Sequence, residues 1–290
     1  MESVIKIKKL TKNYGKNIGV ENVDFEIKKG DVFGFIGPNG AGKSTTIRCI
    51  MDFVNKTFGE IFINGKLIQR NNTNIKSKIG YLPSEIHLYD DLTVKQMIEY
   101  SNRFYLEDCM PKANDLIQRL ELDEKKKINE LSLGNLKKVG IVLCLMHNPD
   151  IIIMDEPTSG LDPLMQEVFY ELIDEEIKKG KTILFSSHIL REIKRICNRV
   201  AIIKNGKVIK IDDINNFNNS NLFRIEIESK DINQIKEVLK LTDIKEKQNE
   251  IEFIYSDINE LIKVLSNYNL DKLIINELDI EETFIHYYKD

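Results

Sequence analysis

The sequence predicts an α/β domain built on a parallel sheet and followed by a small α+β domain, and three observations carry that reading. Short, largely apolar runs at 31–36, 151–154 and 182–185 have the composition of parallel strands covered on both faces. Helical stretches and polar turns separate them, the alternation expected of crossover connections. After an asparagine-rich stretch at 213–221, a shorter pattern of strands and helices begins.

Composition agrees. Of 290 residues, 42% are hydrophobic and 30% charged, enough apolar surface for a full core. Acidic and basic residues nearly cancel at a net charge of −4, so no nucleic-acid footprint is expected. Cys49, Cys109, Cys144 and Cys197 lie far apart without paired metal-ligand spacing, which predicts thiols in a reducing compartment, with neither disulfide nor zinc. The N-terminus lacks the apolar core of a secretory signal, and the longest uncharged apolar stretches, such as 141–146, are too short to span a bilayer.

Taken in order, residues 3–10 alternate as a strand, 11–16 read as a turn containing Tyr14, and 20–27 form a second strand. A tyrosine ring there could lie against a base. The run 31–36 ends in Gly37-Pro38-Asn39-Gly40-Ala41-Gly42-Lys43-Ser44-Thr45, the phosphate-loop pattern G-x-x-x-x-G-K-S. Gly37, Gly40 and Gly42 let successive backbone N–H groups approach a phosphate chain, and a helix opening at about Lys43 adds its positive end. Lys43 can reach the terminal phosphates and Ser44 can ligate Mg²⁺. Pro38, Asn39, Ala41 and Thr45 complete the predicted contacts. The bland alternative is a glycine-rich turn that binds nothing; the preceding strand and following helix argue against it.

A hairpin with an Asn-Gly turn follows at 59–68. From 79 to about 147 the pattern is helical, with a Thr93/Gln96 capping box opening a helix over 94–105 and Pro111 at the start of another. Ser132 sits as the N-cap of a helix reaching 146, in the pentapeptide Leu131-Ser132-Leu133-Gly134-Asn135. The run 151–154 ends in Asp155-Glu156, carboxylates at the carboxyl end of a buried strand where doubly wound sheets bind ligands. Alternation sends their side chains different ways, one toward a Mg²⁺ shell and one toward water. A loop at 157–163, a helix over 165–178 and the strand 182–185 lead to Ser186-Ser187-His188, and His188 leaves its strand on the same side as the two carboxylates. A helix over 189–197 and a hairpin over 200–211 close the first domain.

In order along the chain, Tyr14, the loop from Gly37 to Ser44, the pentapeptide 131–135, the acidic strand end at Asp155 and Glu156, the stretch 159–162 and His188 resemble the nucleotide-binding subunits of ABC transporters over residues 1 to about 212. The resemblance implies a P-loop NTPase core with an antiparallel β subdomain and a helical subdomain at about 79–147. It implies ATP and Mg²⁺ as cofactors: Tyr14 stacking on adenine, Lys43 and its loop on the phosphates, and Ser44 and Asp155 organising Mg²⁺. Glu156 would be the catalytic base, His188 would contact the γ-phosphate, and Asp162 would lie at a dimer contact. Ser132 and Gly134 would face ATP held by a second ATPase subunit, identical or paralogous, in a head-to-tail dimer. Separately encoded permease subunits would hold the protein peripherally on the cytoplasmic face of the membrane.

Two departures stand out. Leu133 and Asn135 replace the first glycine and the glutamine of the family's L-S-G-G-Q signature, and Ser84, followed by Glu85, stands where a glutamine is usual after Tyr81-Leu82-Pro83. Coupling at that position would then run through water or Glu85. Beyond a linker at 213–221, strands at 222–228, 250–255 and 273–276 and helices at 232–241, 258–267 and 284–287 predict a ferredoxin-like α+β domain over 222–290. It resembles the C-terminal extension of bacterial drug, antibiotic and polysaccharide exporter ATPases. The expected function is therefore an exporter's ATPase subunit. Alternatives are a soluble relative acting on DNA or ribosomes, against which stand the single ATPase domain and the absence of a long coiled coil, and a regulatory nucleotide-binding module with little turnover.

Overall fold

In a computed structural model describing residues 2–69, 73–218, 223–239, 241 and 244–277, the chain divides into two units, Met1–Ile214 and Asn215–Asp290. The first opens with β1 (Ser3–Tyr14) and β2 (Asn17–Lys28), paired antiparallel around Gly15 and Lys16. Tyr14 therefore ends a strand rather than sitting in a turn, because β1 runs on past Leu10 through register shifts that interrupt simple alternation. The fully buried β3 (Val32–Ile36) leads to α1 (Lys43–Ile50). The hairpin of β4 (Phe58–Ile63) and β5 (Lys66–Leu67) turns at Asn64 and Gly65, both at positive φ, and completes a four-stranded sheet in the order β2-β1-β4-β5.

After α2 (Thr73–Lys76) comes β6 (Ile79–Leu82), which corrects the expectation that helices begin at 79. It pairs parallel with β7, and Gly80 is needed there because a Cβ would collide with the Cys144 carbonyl. A four-residue apolar run gives too little period to separate strand from helix. The helical part proper comprises α3 (Val94–Asn102), α4 (Met110–Arg119) and α5 (Leu133–Leu145). The Thr93/Gln96 capping box is formed in both directions, and α3 stops short of the expected 105 as Asn102 turns its side chain to the Cys109 N–H and to Asp108.

The remaining elements are β7 (Ile151–Asp155), α6 (Pro163–Lys178), β8 (Thr182–Ser187), α7 (Leu190–Ile196), β9 (Arg199–Lys204), β10 (Lys207–Asp213) and α8 (Ile214–Asn218). The six-stranded sheet has the order β10-β9-β3-β8-β7-β6, parallel except for β10. β3, β7 and β8 thus end along one edge. The two sheets share a core in which Phe25 of β2 stacks on Phe33 of β3 at 5.3 Å and tilts against Phe35 at 5.4 Å. Burying each such ring stabilises by roughly 1.5–3 kcal/mol.

Residues expected to be linker are partly structured, with Asp213 in β10 and 214–218 helical; the rest of that stretch, 219–221, lies outside the described residues. The second unit runs β11 (Phe223–Glu228), α9 (Ile232–Leu239), β12 (Ile244–Lys247), β13 (Glu250–Tyr255), α10 (Ile258–Leu265) and β14 (Lys272–Glu277). Its sheet is antiparallel in the order β12-β13-β11-β14, around a core that includes Ile225, Ile227, Ile235, Ile251 and Leu261. β12 has no counterpart in the sequence reading, since Ile-Lys-Glu-Lys carries one apolar residue. The helix expected at 284–287 lies outside the described residues.

His147, just beyond α5, stacks on Tyr105 with ring centroids 4.3 Å apart. Burial is the main cause that holds its pKa down, from 6.5 to about 4. The unfolded chain takes up this proton below pH 6.5 while the folded chain resists it, so stability falls as pH drops from 6.5 toward 4 and is insensitive to this group above that window. In urea denaturation across pH 4–8, His147→Phe should keep the stack and show a shallower loss of stability on acidification than the parent; equal slopes would exclude His147 as the cause.

Candidate nucleotide site

The loop after β3 is shaped by its glycines before any ligand is considered. Gly42 has φ 108°, and a Cβ there would come within 2.5 Å of Val20 and 2.9 Å of the Gly19 carbonyl. Gly37 is pressed against β9, where a Cβ would lie 2.5 Å from the Ile203 carbonyl. The Lys43 side chain, 5% exposed, folds back so that Nζ donates to the carbonyls of Gly37 at 2.6 Å and Pro38 at 3.2 Å. Nζ also pairs with Glu156 Oε1 at 3.1 Å.

At the end of β7, Asp155 and Glu156 do point different ways. Asp155 is fully buried: Oδ1 accepts from Ser186 Oγ at 2.6 Å, and Oδ2 has no hydrogen-bond partner among the described residues. Glu156 adopts φ 49°, which swings its carboxylate toward Lys43 and His188. His188 Nδ1 lies 2.8 Å from Glu156 Oε2, and since a carboxylate only accepts, Nδ1 carries the proton there.

A cavity of about 410 Å³ opens beside this group, lined by Tyr14, Pro38, Asn39, Gly40, Gly42, Lys43, Ser44, Thr45 and Glu156, and also by Ile18, Gly19 and Ser84, which the sequence reading did not include as contacts. The Lys12 ammonium lies 4.8 Å from the centre of the Tyr14 ring. Ala41 is buried and, like Gly37, supports the loop rather than lining the cavity. Ser132 and Gly134 do not line it either: Ser132 Oγ caps α5 by accepting from the Asn135 N–H at 3.3 Å, and Gly134 packs on Gly160.

Beneath the site lie polar groups that the sequence did not single out. The buried Glu192 carboxylate accepts from Ser187 Oγ at 2.5 Å and from Thr158 Oγ1, linking the turn that carries His188 to the loop that follows Glu156. Lys137 of α5, also buried, reaches the carbonyl of Glu156. Their local sequence carries no distinguishing signal, since Lys137 is followed by Lys138 and Glu192 is preceded by Arg191.

The sequence profile of the ABC transporter family matches residues 20–159. The bacitracin transport ATP-binding protein BcrA of Bacillus licheniformis is 31% identical over 300 residues, covering 98% of this chain and 97% of that protein. The chain belongs to the ABC transporter ATP-binding family. The linearmycin resistance ATP-binding protein LnrL of Bacillus subtilis is 35% identical over 213 residues, 72% of this chain and 68% of that protein. Among solved structures, the dimeric bacterial ABC transporter cassette MJ0796 matches at TM-score 0.66 and 28% identity over 72% of this chain and 98% of that one. The same cassette has been captured in a post-hydrolysis state with ADP and Pi.

This chain is thus an ABC ATPase subunit, and the two departures from the family pattern acquire positions. Leu133 is 81% exposed and fills no part of the chain's own cavity. Ser84 lines that cavity, whereas Glu85 does not and is 79% exposed beside His87. Glu192→Ala would leave the Ser187 and Thr158 hydroxyls buried without their acceptor, for which we expect a loss of about 1–3 kcal/mol in urea denaturation. An unchanged midpoint and slope would show that the hydroxyls find other partners.

Proposed function

We propose that the site hydrolyses MgATP with Glu156 as general base, within a head-to-tail dimer that drives separate membrane subunits. The observation that supports this most directly is the convergence of Lys43, Glu156 and His188 beside the cavity, at the adjoining ends of β3, β7 and β8. Lys43 and the N–H groups of its loop bind the phosphates, and the exposed Tyr14 ring offers a face for adenine. Glu156 accepts a proton from the attacking water as its oxygen bonds the γ-phosphorus and the bond to ADP breaks; His188 orients Glu156 and contacts the γ-phosphate. Asp155 fits a hydrated Mg²⁺, because its buried Oδ2 lacks a hydrogen-bond partner among the described residues and a hard cation prefers such oxygen donors; Ser44 would hold the ion from the loop. When bound, Mg²⁺ offsets charge on the phosphoryl oxygens.

Ser132 and Gly134 lie away from this chain's own cavity, which supports their serving ATP on a second subunit, identical or paralogous. No described helix is long and apolar enough to cross a membrane. In this reading separate permease subunits carry the transport path and place this protein peripherally on the cytoplasmic face. The exposed aromatic ladder of Tyr89, Tyr100 and Phe104, with ring centroids 5.5 Å and 5.2 Å apart, is a surface such a partner could cover. Likeness to antibiotic-resistance and transport ATPases favours export. The order β12-β13-β11-β14 with two intervening helices supports a ferredoxin-like second domain, for which we favour a packing or dimer-support role.

Glu156→Gln keeps the size of the side chain but removes the base, so it should bind ATP, accumulate as an ATP-bound dimer and lose on the order of 100-fold or more in turnover. Wild-type turnover in that variant would place the base elsewhere. The shared-site geometry makes a second demand: the rate per subunit should rise with protein concentration and saturate as dimers fill. Ser132→Arg should abolish turnover yet spare nucleotide binding, the reverse of Lys43→Ala, which should lose binding first. A rate per subunit that stays high and flat down to concentrations where light scattering shows only monomers would exclude the shared site.

A further inference from the structure

Lys137 lies five residues beyond the N-cap of α5 and is only 4% exposed. Its ammonium donates to the carbonyls of Ser84 at 2.9 Å, Pro83 at 3.2 Å and Glu156 at 3.3 Å, so each of its three N–H groups has a partner. Those carbonyls belong to segments that leave different strands, 83–84 after β6 and 156 after β7. Leucine or methionine could fill the same space without taking a cation out of water, which is costly. Burial pushes the Lys137 pKa down, and the Asp155 and Glu156 carboxylates nearby oppose that shift.

The link matters because of what surrounds it. Ser84 and Glu156 both line the cavity, so Lys137 holds two of its walls by their backbones. Where the family usually places a glutamine, the short Ser84 side chain offers little reach, and Glu85 lies exposed. We propose that Lys137 is a positioning residue that clips the loop after β6 to the backbone of Glu156, so that movement of that loop, or of the start of α5, is transmitted to the catalytic carboxylate. This rests on the reading of Glu156 as the base. Lys137 does not line the cavity; it acts through where it holds the Glu156 peptide.

The test uses the full chain with MgATP. Lys137→Met keeps an unbranched side chain of similar bulk and removes all three hydrogen bonds; kcat should fall about 10- to 100-fold, the range expected when a catalytic group is displaced by about 1 Å. ATP affinity should stay within about twofold of the parent, because the Lys43 loop is untouched. Amide hydrogen exchange should rise together in 83–87 and 156–161, a change that general destabilisation would not confine to those segments. In a Glu156→Gln background the same substitution should leave the residual rate nearly unchanged, since there is then no base to misplace. If Lys137→Met does not fold, Lys137→Gln carries the test: its amide can donate to at most two of the three carbonyls, for an expected loss of about 3- to 10-fold in kcat, again absent without Glu156. Wild-type kcat, effects of Lys137 and Glu156 that simply multiply, or exchange rising in one segment alone would each overturn the proposal. Glu156→Gln turning over at the parental rate would instead remove the base assignment itself, a result distinct from any of these.

Discussion

The geometry of the site depends on one backbone reversal. Glu156 at φ 49° is a non-glycine residue in the left-handed region, a conformation costing of order 1–3 kcal/mol that persists only where the surroundings enforce it. The enforcement is visible on both sides of the residue. Its N–H faces the carbonyl and the hydroxyl of Ser186, each at 3.2 Å, while its carbonyl accepts from Ser159 N–H and from Lys137, each at 3.3 Å. A residue continuing the strand would keep the extended alternation; the turn carries the carboxylate instead to Lys43 and His188.

That strained peptide is held from two other elements, and the holding groups are charged. Lys137 comes from α5, and Glu192 of α7 fastens Thr158 and Ser187, the first two residues beyond Glu156 and the second one before His188. Buried charges are weak contributors to net stability when their desolvation is counted, yet removing one partner leaves the other groups uncompensated. The arrangement therefore secures the orientation of Glu156 and His188 more than it adds to folding free energy. Lys43 shows the same logic from the nucleotide side: its ammonium is positioned by two carbonyls and one carboxylate beside the cavity it serves.

How much of this was legible in the sequence follows from the range of each interaction. Apolar runs located β3, β7 and β8, and the Thr93/Gln96 capping box and Ser132 as an N-cap located two helix starts, because these signals are completed within a few residues. β6 was misread because Ile-Gly-Tyr-Leu is made a strand by its neighbour β7, about seventy residues on, a pairing that no local period announces. Tyr14 was placed in a turn for a related reason, since the pairing with β2 carries β1 past its regular alternation. Within the site, residues in the phosphate loop and at the acidic strand end were readable from type and spacing. Lys137, Thr158 and Glu192 were not, because a buried polar side chain on a helix or loop becomes meaningful only once its acceptor or donor, brought from elsewhere in the chain, is known.

The start of α5 shows which departures from a family pattern a fold can absorb. At Gly134 a Cβ would sit 2.6 Å from the Gly160 carbonyl, so glycine is required by contact with the loop after β7, whatever phosphate it also meets. Leu133, one residue earlier, projects into solvent, as does Leu164 at the start of α6, 76% exposed. The glycine that this chain retains is thus the one constrained inside the subunit, and the position it has changed is free of that constraint. Any effect of Leu133 must then be exerted outside the subunit, on whatever meets this surface. In a dimeric site, the leucine bears on how two subunits close while leaving the folding of each one unaffected.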